Sequence, residues 1–249
     1  GQDAPLLKPP FSFTRLTAHW DEYSSDGYLK FLREVKPEVA QVGFWGAHFW
    51  SLSATPHGKG YPAHFPVQGH RECSQWQKNL YGEIHKLGIK PLGHFNVIFL
   101  VGDPDSEKGP RGFFKFYNDQ WDEAELGPKP VKDPTELLER NRDGSLISNK
   151  GYSIGGMKEY WGCLRNPHWR AVLKAWVRFA IRRDVDGFVI NYFYRHDCHC
   201  THCVSGFKSH LAGRYDKKEL AKNFGITNLE KHIFEAVSYT HLTLPTNRE

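Results

Sequence analysis

Four cysteines constrain this chain more than any other feature. Cys163 stands alone in Trp161-Gly162-Cys163-Leu164-Arg165-Asn166-Pro167, and three more follow in Cys198-His199-Cys200-Thr201-His202-Cys203. A C-x-C-x2-C turn brings three soft sulfur donors close to one point, and a tetrahedral zinc site then needs one further thiolate. We read Cys163, Cys198, Cys200 and Cys203 as the ligands of a structural zinc, which requires two remote segments to meet. Disulfides are the alternative, because cysteine pairs in an oxidising compartment form bridges. Cys198 and Cys200 are one residue apart and unsuited to bonding each other, so two longer closures would be needed. Cys73 is left over and is expected as a small buried apolar residue.

The sequence begins at Gly1 without Met or an apolar targeting segment, as a mature exported protein does, which favours a secreted or periplasmic location. A hydrophobic share of 39% against 24% charged residues argues for a packed fold and against disorder. The net charge of +5 comes from scattered Lys and Arg that form no stripe, so no nucleic-acid partner is expected. No apolar run approaches the ~18 residues of a membrane span, so no membrane partner is expected either. Aromatic residues reach 14%, with eight Trp, a bias compatible with the ring platforms of a sugar-binding cleft.

Short apolar runs alternate with helical patterns. Strands are expected near Arg15–His19, Val39–Phe44, Pro91–Asn96 and Gly187–Asn191. Helices are expected from Gly27 to Val35, from Gln75 to Leu87 with Gly88 as the stop, from Pro167 to Arg182, and from Cys203 to Tyr215. Leu137–Arg140 reads as a short helical turn and Leu229–Val237 as helix-like. Strand–helix alternation of this kind predicts an α/β fold with parallel strands. No Gly-rich phosphate fingerprint follows the first strand, so a β/α barrel of the TIM type is preferred to a doubly wound sheet. Residues 101–166 are far longer than an ordinary strand-to-helix connection and are expected to be a mouth-side insertion, a lid or substrate wall.

From Cys163 onward the chain resembles the zinc-bearing barrel of glycoside hydrolase family 42, the β-galactosidases, and uncharacterised barrel relatives. The resemblance rests on Cys163-Leu164-Arg165-Asn166-Pro167-His168-Trp169-Arg170, on the Cys198–Cys203 cluster, and on Phe207-Lys208-Ser209-His210-Leu211 with Arg214-Tyr215. It implies a zinc held by the four cysteines near a glycan-binding mouth, a carbohydrate substrate, and a homo-oligomer in the full-length protein. The match departs at the fourth strand. That family ends the strand in Asn-Glu, whose Glu is the acid/base; here Asn191 is followed by Tyr192, a phenol of ordinary pKa about 10 and a poor proton donor. A second group, resembling α-fucosidases, places an Asp at the end of Asp-Gly-x-x-x-Asp; here Asp186-Gly187 leads to Asn191. The terminal stretch Ser238–Glu249 resembles a translated sequencing-adapter read-through. Residues 1–237 are therefore expected to be the N-terminal part of a barrel, and 238–249 a non-native tail.

In a parallel barrel every strand opens on the same face, so residues after different strands converge. His19, Trp45, His48, His94, Asn96, Asn191, Tyr192, Tyr194, Arg195 and Asp197 are expected to line that mouth, roofed in part by Phe113–Trp121. Glycoside hydrolysis normally uses two carboxyl groups. Asp197 is the foremost candidate in view, with Asp21 and Glu22 behind it; its structural role would be to pair with Arg195 or support the zinc loop. The other half of the mouth is expected beyond this sequence, leaving the fragment inactive. Two other functions stay open: a non-catalytic glycan binder, and a metal-dependent hydrolase using His19, His48 and His94.

Overall fold

The computed structural model describes residues 12–18, 27–46, 71–154, 156–191 and 196–235. Two four-stranded sheets organise them. The first contains β1 (Leu16–Thr17), β2 (Val39–Gly46), β3 (Lys90–Asn96) and β8 (Gly187–Asn191), side by side in that order. All three pairings are parallel, with Leu16 opposite Val39, Val39 opposite Lys90, and Leu92 opposite Gly187. Neighbours that follow chain order without reversal give the arrangement of one half of a β/α barrel; a doubly wound sheet would switch direction at its centre. The α/β expectation holds, and the strand positions agree to within a few residues.

Between these strands run α1 (Tyr28–Val35), α2 (Arg71–Lys86) and α3 (Pro167–Ile181). The last illustrates why the sequence folds locally as it does. Asn166 Oδ1 accepts from the His168 N–H at 2.9 Å, Pro167 occupies the first turn, and Trp169, Val172, Ala175, Trp176, Phe179 and Ala180 form one buried face. At the other end of α2, Gly88 adopts φ +75 and its N–H bonds to the His85 carbonyl, closing the helix as its sequence suggested.

The connection after β3 is a folded layer. β4 (Phe99–Asp103), β5 (Arg111–Gly112), β6 (Ser148–Ile154) and β7 (Met157–Trp161) make an antiparallel sheet in the order β5-β4-β7-β6. The expected roof is corrected here. Phe113, Phe114, Phe116 and Tyr117 are fully buried, and Phe113 lies 6.0 Å from the Trp169 ring and 6.4 Å from Trp176. Rings of ~150–250 Å² each gain too much by leaving water to stand over an open mouth when α3 offers an aromatic face. The segment therefore extends the main core.

Two further local expectations change. The turn forecast at Leu137–Arg140 is a 3-10 turn at Pro134–Leu137, because Asp133 caps it through the Thr135 N–H at 2.9 Å. Leu138 and Arg140 instead make isolated bridges to Gly162 and Leu146. At the C-terminal side, α4 (Thr201–Arg214) and α5 (Lys217–Phe224) are followed by a turn, not the helix read from Leu229 onward. Asn228 Oδ1 takes the Lys231 N–H, and Phe234 is drawn against the Phe207 ring at 4.8 Å. Both edges of the parallel sheet carry uncovered apolar residues, Leu16 at 41% and Ile190 at 58% exposure. Among the described residues no helix is long and apolar enough to cross a membrane.

Candidate functional site

The parallel sheet has two unlike faces. On one, Trp45 packs on Phe179 of α3 at 5.9 Å, and Phe95 meets Phe188 at 5.1 Å. Alternation along the strands then sends Leu92, His94 and Asn96 to the opposite face, beside Val189 and Asn191 of β8. Gln41 lies there as well, donating from Nε2 to His94 Nδ1 at 2.9 Å. The result is a polar stripe running toward the C-terminal strand ends: Gln41, His94, Asn96, Asn191.

Its electrostatics are those of neutral hydrogen-bonding groups. Burial pushes the His94 imidazole down to about 4, so the ring is uncharged at neutral pH. With Nδ1 accepting from Gln41, the ring proton sits on Nε2. Asn96 is fully buried; its Oδ1 accepts from the Phe99 N–H at 3.2 Å, and among the described residues its Nδ2 has no hydrogen-bond partner. A buried amide donor left unpaired costs about 1–3 kcal/mol, so it calls for an explanation. Gly46, at φ +92, permits this crowding, since a Cβ there would stand 2.2 Å from the Asn96 carbonyl oxygen.

Of the residues expected at the mouth, His94, Asn96 and Asn191 are brought together on this face. Trp45 is not. The register shifts between Gln41 and Phe44, and this bulge turns Trp45 to the helix side, where its indole N–H donates to the Tyr81 hydroxyl at 3.0 Å. The strand also continues through Gly46, so Trp45 belongs to no loop. Asp197 lies in the segment after β8; its Oδ2 is 3.7 Å from His199 Nε2 and its side chain is 38% exposed. His19, His48, Tyr192, Tyr194 and Arg195, with Asp21 and Glu22, lie outside the described residues. Cys73 falls in α2, and its side chain is likewise outside what is described.

The four-cysteine cluster forms a second centre. Cys163, Cys198, Cys200 and Cys203 are all buried, and their Sγ atoms lie within 4.8 Å of one another. Cys163 Sγ is 3.6 Å from that of Cys200, 3.5 Å from that of Cys203 and 3.9 Å from that of Cys198. A tetrahedron with metal–sulfur bonds of about 2.3 Å has sulfur–sulfur edges of about 3.8 Å. The spacing fits that geometry, and none of the four is in a disulfide. Cys200 is the N-cap of α4 and Cys203 lies in its first turn, where the helix dipole favours thiolates. The Arg140 N–H points at Cys198 Sγ from 3.4 Å. Hydrogen bonding to Cys163 pulls the Cys198 and Cys200 thiols down, while sharing with Cys198 holds Cys163 up and sharing with Cys163 holds Cys203 up. Among the described residues this is the one group of three or more side chains arranged to hold a metal ion.

Sequence reading missed Glu139 and His196. Glu139 sits in the highly charged Glu139-Arg140-Asn141-Arg142-Asp143, which has the composition of a solvated loop. In the fold its side chain is 2% exposed, and its Oε2 accepts from His196 Nδ1 at 2.8 Å. No local pattern announces this pair, because its halves come from different layers.

No family model matches the chain, and no curated protein matches it. Among solved structures it is similar to an alpha-galactosidase from Thermus thermophilus, at 13% identity over 81% of this chain and 37% of that one, with a TM-score of 0.44. It is also similar to the maltogenic alpha-amylase AmyB from Thermotoga neapolitana, at 10% identity over 80% of this chain and 42% of that one, TM-score 0.43. A third is trehalose-6-phosphate hydrolase from Bacillus licheniformis, at 13% identity over 74% and 36%, TM-score 0.41. The chain spans well under half the length of each.

Proposed function

We propose that this chain forms one half of a β/α barrel that binds a carbohydrate at its strand ends, and that the whole protein hydrolyses glycosides. The observation that carries the reading is the run of uncharged hydrogen-bonding groups on one face of the parallel sheet: neutral His94, Gln41, and a buried Asn96 whose Nδ2 has no partner among the described residues. Uncharged donors and acceptors suit hydroxyl groups, each of which both donates and accepts; an anion would call for Arg or Lys instead. The finer likeness to the family 42 β-galactosidases rests on the cysteine-bearing segments of the sequence.

In this reading the four thiolates hold zinc. Four protein ligands leave no open position, so such an ion fixes structure and does not polarise substrate. Its place would be to fasten the segment after β8 to the layer that carries Cys163. Asp197 then serves as one catalytic carboxyl, on a segment held at one end by Cys198 and Cys200, with its partner contributed by the other half of the barrel.

A second reading, a glycan binder without hydrolysis, is favoured by the strand ends. β1, β2, β3 and β8 end in Thr17, Gly46, Asn96 and Asn191, none of them acidic. The test is a panel of p-nitrophenyl glycosides with the full-length protein, its Asp197→Asn variant and its Asn96→Leu variant. Hydrolysis lost in Asp197→Asn and weakened in Asn96→Leu supports the first reading. Binding of glycosides without turnover supports the second, and indifference to every glycoside removes both.

A further inference from the structure

We infer that a second saccharide site lies at the corner between α4 and α5, in a cavity of ≈580 Å³ built from residues 212–230 alone. The ligand class rests on the carbohydrate reading above; the cavity itself does not depend on it. Its size falls within the roughly 300–1,000 Å³ of small-molecule sites. Local backbone chemistry sets its walls. Asp216 and Glu219 form a reciprocal capping box that starts α5, each carboxylate taking the other residue's N–H at 2.8 Å. Gly225 ends that helix at φ +69, with its N–H on the Ala221 carbonyl and the Ile226 N–H on the Leu220 carbonyl. Beyond it, Asn228 Oδ1 takes the Lys231 N–H at 3.1 Å, and the Lys208 ammonium reaches from α4 to the Glu230 carbonyl. The cavity is thus shaped before any ligand arrives, which lowers the ordering cost of binding.

The lining names the ligand class. Its buried part is apolar: Leu220 and Ile226, with Leu229 and Tyr215 half-buried beside them. The Phe224 ring meets Tyr215 at 5.0 Å and 68°, an edge-on contact that holds the tyrosine ring in place. Water against such a surface finds few partners, so a ligand with an apolar face gains by displacing it. The exposed part of the lining is polar. The Tyr215 and Thr227 hydroxyls have no hydrogen-bond partner among the described residues. Asn228, with Oδ1 engaged by Lys231, keeps its Nδ2 as a donor. Asp216 is occupied by its cap, so Lys217 and Glu230 remain, one charge of each sign. That balance favours neither an anion nor a cation. A neutral sugar ring has the matching surface, an apolar face edged with hydroxyls that both donate and accept.

The experiment follows 13C-labelled Ile and Leu methyls of the protein while lactose, melibiose, maltose or cellobiose is added. Ile226 and Leu220 report on this cavity, Leu92 on the strand-end face, and Leu211 on the packing of the cluster around the cysteines. The expected result is a saturable shift at Ile226 and Leu220 with at least one sugar. Tyr215→Phe keeps the ring contact with Phe224, removes the hydroxyl and should weaken that binding about tenfold, the worth of one hydrogen bond. Thr227→Trp fills the cavity from an exposed position and should abolish the binding. Unmoved Leu211 methyls show that a variant is folded; where one variant moves them, the other decides. Unmoved Ile226 and Leu220 methyls, or parental affinity in a folded variant, overturn the assignment. A shift caused by benzyl alcohol and by none of the sugars overturns it as well. Sugar-induced shifts at Leu92 that spare Ile226 and Leu220 overturn it and leave the strand-end reading intact. Shifts at Ile226 and Leu220 that spare Leu92 uphold it and remove that reading.

Discussion

The two hydrophobic clusters of this molecule are built on different physics. The larger one joins both sheets to α3 through Trp45, Trp169, Trp176, Phe113, Phe114 and Phe116, all essentially fully buried. The smaller one gathers the four cysteines with Phe207, Leu211, Leu220, Ile226 and Phe234. The first has apolar surface enough to hold itself together. In the second, four of nine buried members are thiols, and so small a core ordinarily needs a metal or a crosslink. On the proposed zinc reading, one chain contains a region that hydrophobic burial stabilises and another that ligation would hold together.

Stripping the metal from a zinc-loaded protein with a strong chelator should break this contrast most visibly. Apparent binding energies for structural zinc are about 10–16 kcal/mol, so the 196–235 region should open to protease while α2, α3 and the two sheets persist. Uniform loss of both regions would mean that they are one cooperative unit. In the larger cluster, Trp176→Ala should lower stability by about 3–5 kcal/mol, measured by urea unfolding, without reducing the metal content. A fall in bound zinc would show that the clusters share their stability.

Titration of His94 sharpens the comparison further. Its folded value of about 4 lies below the unfolded 6.5, so the unfolded chain binds the extra proton between these values. Stability is complete above 6.5 and declines as pH falls toward 4, by at most about 3 kcal/mol. Comparing His94→Gln with the parent across that range should abolish most of the slope; an unchanged slope would place the titrating group elsewhere. The smallest effect concerns the junction between the clusters. Asn166 caps α3 and also donates from Nδ2 to the Glu136 carbonyl at 2.7 Å. Asn166→Ala should lower thermal stability by about 1–2 kcal/mol, and Asn166→Asp, which keeps the cap and loses the donor, by less.

Much of this was written locally. The helix from Pro167 was legible because its cap, its proline and its apolar spacing all lie within one segment. The cysteine cluster was legible because three donors fall within six residues and their chemistry is narrow. Trp45 was not, since a bulge two residues upstream decides which face it takes, and the same aromatic would serve on either. The Phe113–Tyr117 rings look in sequence like a lid because nothing local tells an exposed aromatic from a buried one. Only the presence of Trp169 and Trp176 across the layer settled their burial.

What the sequence determined by itself was the alternation of parallel strands and helices, the caps, and the residues that meet around four sulfurs. These follow from periodicity, backbone chemistry and ligand type, all properties of neighbouring residues. The tertiary structure decided which face each strand shows, which polar groups lose water, and which partners they find. Asn96 has a buried donor without a partner among the described residues, and Glu139 has a histidine from another layer, because desolvation and pairing depend on what lies across space. No stretch of chain carries that information alone.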